Sequence, residues 1–85
     1  MPLSFSRPTK RSITIAGHET SISLEPMFWA ALEDEARAEG LPLNALVARI
    51  DVERLSSTPP PNLTSAIRQW LFARGSLSGG GGPDG

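Results

Sequence analysis

The chain contains no cysteine, which excludes a disulfide framework and any thiolate metal site. Its single histidine, His18, stands beside one carboxylate, Glu19. Adjacent residues of an extended segment point to opposite faces, so this pair makes neither a metal centre nor a catalytic couple. Ser21 and Ser23 have no base and acid set around them. The glycine run 79–82 lacks the Lys-Ser/Thr ending and the following helix of a phosphate loop. No enzyme activity, cofactor or metal is therefore expected. No stretch approaches the roughly 18 apolar residues of a membrane span, and the first residues lack the apolar run of a secretory signal. The expected location is the cytoplasm.

Acid is missing from the start of the chain. No Asp or Glu precedes Glu19, whereas Arg7, Lys10 and Arg11 are basic. From Glu25 to Glu39 the acids Glu25, Glu33, Asp34, Glu35 and Glu39 stand against Arg37 alone over that span. The formal net charge of −1 hides this division. A basic arm on an acidic body fits a polyanion contact confined to the N-terminal side; the plainer reading is a solvated arm without a partner. Residues 1–10 are expected to form a flexible basic arm, and residues 75–85, with six glycines, a disordered tail. The foldable part, 11–74, is short for a deep core of its own, which makes self-association an expectation.

Within that part the hydrophobic period changes sharply. Ile13 and Ile15 alternate with Ser12 and Thr14, and Ile22 and Leu24 alternate with Ser21 and Ser23, which predicts strands over about 12–16 and 20–24. The glycine between them suits either a hairpin or one irregular strand with a bulge. Helical spacing then takes over. A first helix is predicted over about 26–39, opened by Pro26 and stopped by Gly40 as a left-handed residue. A second is predicted over about 43–54 with Leu43, Leu46, Val47 and Ile50 inward and Leu55 closing the stripe. The run Pro59-Pro60-Pro61 breaks the pattern. Asn62 then caps a third helix to about residue 74, in which Leu63, Ala66, Ile67, Trp70 and Leu71 form one stripe.

A five-residue strand is not stable alone, and a two-stranded hairpin is marginal. Thr20–Leu24 must pair with residues 12–16, with the same strand of a second chain, or with both. Pairing across a two-fold axis would bury Ile22 and Leu24 of both subunits over the helices. The fold class that follows is mainly α with a short β ribbon.

The order of these pieces resembles the ribbon-helix-helix family. The resemblance rests on Thr20-Ser21-Ile22-Ser23-Leu24, the helix after it, the turn Gly40-Leu41-Pro42-Leu43-Asn44 and the second helix. More narrowly, Arg11 to His18, then Thr20 to Pro26, Phe28-Trp29, Leu43-Asn44-Ala45-Leu46 and Asn62 to Arg68 are similar to a bacterial subfamily of short members with an extra N-terminal strand segment and a third helix. The resemblance implies a homodimer that binds double-stranded DNA, with an antiparallel ribbon in the major groove, acting as a small transcriptional repressor or regulator. It assigns Glu19, Ser21 and Ser23 to the base-facing side of the ribbon, where the family more often carries Arg, Lys, Asn or Gln. It assigns Ile22, Leu24, Phe28, Leu32, Leu46, Val47 and Ile50 to the dimer core. Phosphate contacts fall to Arg7, Lys10, Arg11 and His18, and to the backbone of Leu43 and Asn44 at the start of the second helix. The alternative is a non-catalytic protein-interaction or antitoxin-like module on the same scaffold. Phe28, Trp29 and Trp70 are expected to pack, and the third helix to cover Met27 or Leu55 or to hold a protein partner.

Overall fold

The computed structural model describes residues 5–75, so the first four residues and the tail from 76 onward, including most of the glycine-rich segment, lie outside the described residues. Two strands, β1 (Thr9–Ile15) and β2 (His18–Leu24), precede three helices, α1 (Pro26–Glu39), α2 (Leu43–Leu55) and α3 (Leu63–Ala73).

The two strands pair with each other in one chain. They run antiparallel from Ile15 opposite His18 to Thr9 opposite Leu24. Ala16 and Gly17 both have positive φ, 51° and 81°, so the loop is a two-residue turn whose twist matches that of the strands it joins. This resolves the hairpin against the bulge. The strands start earlier than their sequence pattern suggests, at Thr9 and His18, because two residues suffice for the turn and His18 and Glu19 are free to join the ladder. The end of the expected basic arm is consequently strand.

Alternation then divides the hairpin into two faces. Ile13, Ile22 and Leu24 are buried against the helices. Trp29 on α1 donates its indole N–H to the carbonyl of Thr9 at 2.8 Å, fastening the first strand to the helical body. Pro26 starts α1 after the extended Glu25, and Gly40 ends it at φ 69°. The Gly40 N–H bonds to the Arg37 carbonyl at 3.1 Å and the Leu41 N–H to the Ala36 carbonyl at 2.9 Å, the paired closure that a left-handed residue permits. Asn62 caps α3, its side chain accepting from the Ser65 N–H at 2.8 Å.

One core joins all five elements: Ile13, Ile22 and Leu24 from the hairpin, Trp29, Leu32 and Ala36 from α1, Leu46, Val47 and Ile50 from α2, and Ala66, Ile67 and Leu71 from α3. Ile22, Leu24, Leu32, Leu46, Val47 and Ile50, assigned above to a dimer core, are at most 2 % exposed within a single chain. They have no surface left for a second subunit, because α3 closes over them; of that set only Phe28 remains partly open. The third helix covers neither Met27 nor Leu55, which stay 59 % and 58 % exposed. Its stripe is spent on the shared core instead.

Candidate nucleic-acid interface

The register sorts the ribbon residues. Lys10, Ser12 and Thr14 on β1 stand opposite Ser23, Ser21 and Glu19 on β2, and all six are exposed. They form one polar surface on the side away from the helices, with no apolar residue in it. Glu19, Ser21 and Ser23 thus share a face, as their alternation implies. Lys10, Ser12 and Thr14 belong to the same face, and the sequence reading missed the last two. The signal was present: a two-residue turn at Ala16-Gly17 fixes which residues lie opposite one another.

Among the described residues no further strand pairs with either edge of this ribbon. A two-residue turn closes on a hydrogen-bonded pair, here Ile15 and His18. Bonding then alternates, so Thr20, Ile22 and Leu24 direct their backbone groups to β1, while Glu19, Ser21 and Ser23 direct theirs to the outer edge of β2. The residues that display side chains on the polar face therefore also present the free strand edge.

The cations are unevenly engaged. Six of the eight Lys and Arg side chains are paired to carboxylates. Arg37 meets Asp34, Arg49 meets Glu39 and Arg54 meets Asp51. Arg68 meets Glu25 at 2.7 Å, and Arg74 meets both Glu35 and Glu39. Arg11, on the helix-facing side of β1, lies over the Trp29 ring at 4.6 Å and pairs with Glu33 at 3.1 Å. Among the described residues Arg7 and Lys10 alone have no carboxylate partner. Both are exposed, Arg7 just before β1 and Lys10 at its start. The positive charge available to a partner is thus concentrated at one end of the ribbon.

The same pairing shifts the body's carboxylates. The hydrogen bond from Arg68 holds Glu25 below the ordinary glutamate range. Arg74, with Arg49 beside it, does the same for Glu39, while Glu39 raises Arg74 further.

His18 sits on the helix-facing side of the ribbon, in a shallow hollow with Asp51, Arg54 and Asn62, not on the polar face. At the start of α2 the Pro42 carbonyl accepts from Ala45 and Leu46 at 3.0 and 3.1 Å, and no side chain caps the helix. The N–H groups of Leu43 and Asn44 therefore lie outside the intrahelical ladder. Phe28 is half-buried beneath Arg68; Trp29 is in the core, and Trp70 carries Arg74 over its ring at 4.7 Å. Among the described residues no group of three or more His, Asp or Glu side chains is placed to hold a metal ion, and no helix is long and apolar enough to cross a membrane.

A family model described as a ribbon-helix-helix domain matches residues 8–74, which takes in both strands and all three helices. No curated protein and no solved structure matches the chain.

Proposed function

Because the chain belongs to the ribbon-helix-helix family, whose domains typically bind DNA as transcription regulators, we propose that it binds double-stranded DNA as a homodimer and regulates transcription by occupying its site. The observation that carries this reading is the polar face of the ribbon: Glu19, Ser21 and Ser23 exposed away from the core, beside the two cations no carboxylate holds. A ribbon is one of the elements the major groove admits, and hydroxyl and carboxylate groups can hydrogen-bond base edges there.

The family's ribbon strand leads directly into the first helix, which here is β2. Two copies of β2 paired antiparallel about Ser21 would satisfy the outward backbone groups of Glu19, Ser21 and Ser23 and set Glu19 beside the partner's Ser23. Arg7 and Lys10 supply phosphate contacts, and the free N–H groups of Leu43 and Asn44 supply a second anchor at a helix start. The action is steric and needs no catalytic group, in a protein that works in the cytoplasm.

Binding of a short fluorescent duplex with a randomised core, followed by anisotropy at increasing salt, tests the reading. Binding that weakens steeply with salt is expected; no binding at low salt overturns it. Sedimentation at the same concentrations is expected to return the mass of two chains.

A second reading, a protein partner seated on α3, is favoured by one feature. Phe72 is 77 % exposed and shares a shallow apolar hollow with Phe28, Arg68 and Gln69. Phe72→Glu is expected to leave duplex binding intact while abolishing any such contact.

A further inference from the structure

The intrachain hairpin alters what a paired ribbon would present to DNA. Joining two chains along β2 yields four strands in the order β1, β2, partner β2, partner β1, not a bare pair. Strands lie about 4.8 Å apart, which puts the β2 axes about 2.4 Å and the β1 axes about 7.2 Å from the two-fold axis. The major groove is about 12 Å wide, so its walls stand about 6 Å from the same axis. The two β2 strands fit between the walls, and each β1 lies over one of them.

The side chains are divided accordingly. On the polar face β1 carries one cation and two hydroxyls, Lys10, Ser12 and Thr14, and no acid. The single carboxylate of that face, Glu19, is on β2. Phosphate oxygens need donors and repel carboxylates; base edges offer amino groups that a carboxylate can accept from. Ser12 and Thr14 make no side-chain hydrogen bond among the described residues, so their donors are free.

We infer that β1 is a phosphate-binding strand: the hydroxyls of Ser12 and Thr14, with the ammonium of Lys10, hold the DNA backbone on either side of the groove while β2 alone faces the bases. This rests on the DNA-binding reading above and deepens it, by separating an anchoring strand from a reading strand within one hairpin.

The test compares the full chain with the double variant Ser12→Ala/Thr14→Val and with Lys10→Ala. All three are assayed by anisotropy on the randomised duplex over a salt series, with sequence selection run in parallel and circular dichroism verifying that each variant folds. The hydroxyl variant is expected to bind every sequence at least a hundredfold more weakly, since it removes two hydrogen bonds to charged groups from each chain and each is worth about tenfold. Its selected sequences are unchanged. Lys10→Ala is expected to reduce the slope of log affinity against log salt by about two, one cation per chain in a dimer. A hydroxyl variant that changes the selected sequences, or binds as tightly as the parent, overturns the assignment while leaving DNA binding intact. A parent chain that does not bind at low salt overturns the DNA-binding reading, and this inference with it.

Discussion

The two faces of the hairpin are built from the same fourteen strand residues and answer to different constraints. On the inner face Ile13, Ile22 and Leu24 are buried among side chains from all three helices. On the outer face Lys10, Ser12, Thr14, Glu19, Ser21 and Ser23 are exposed, and among the described residues none of their side chains makes a hydrogen bond or ion pair. The inner residues hold the fold together; the outer ones are free to be chosen for what they meet. Stability and recognition should therefore separate by residue parity along each strand.

The largest break in this comparison is on the inner face. Leu24 is fully buried where the ribbon enters α1. Leu24→Ala is expected to cost about 2–5 kcal/mol through lost burial and the cavity left behind. Denaturant unfolding checks it, and a loss under 1 kcal/mol would mean that this end of the ribbon is not packed as described.

Next is the turn that holds the two faces in register. Gly17 sits at φ 81° with nothing within 4 Å of where a Cβ would stand. The cost of Gly17→Ala is therefore conformational alone, about 1–2 kcal/mol for a left-handed residue. The same measurement applies, and an unchanged midpoint would show that the loop relaxes into another turn.

The fold was legible in the sequence where a residue type has one physical solution. Gly40 stops α1 in the left-handed conformation and Asn62 caps α3, as their positions imply. The period change at Leu24 likewise marks the join of strand and helix. The sequence leaves the hairpin open, because a glycine between two β-prone runs serves a turn and a bulge equally well. Burial of the core within one chain was hidden because an apolar stripe states that a helix has a covered side, not which chain covers it. At the interface, the alternation placed Glu19, Ser21 and Ser23 on one face. Ser12 and Thr14 needed the register, and Arg11 needed its actual neighbours: nothing local distinguishes it from Lys10, yet Trp29 and Glu33 occupy it.

A smaller effect sharpens the comparison from the helical body. Glu25 and Glu39 are depressed below their ordinary range by Arg68 and Arg74. Such groups bind protons more readily in the unfolded chain, so their contribution is present above the ordinary glutamate value of about 4.3 and is lost as pH falls through the lower folded values. Thermal midpoints are expected to decline on acidification below that value, and Arg74→Ala to flatten the part due to Glu39. Both carboxylates are at the surface, so the slope is shallow. A midpoint that rises on acidification would contradict the pairing.

The smallest expected effect on stability is the most informative about the outer face. Ser21 is exposed, stands opposite Ser12 and makes no side-chain hydrogen bond among the described residues, so Ser21→Ala should move the unfolding free energy by less than about 0.5 kcal/mol. Its neighbour Ile22 is 2 % exposed, and truncating it should cost several times more. If Ser21 reads bases, the same silent substitution changes which sequences the protein selects, a readout that a structural role would not move. A Ser21→Ala chain that unfolds early would instead mean that the outer face is packed against something, and that the two faces are less independent than their exposure implies.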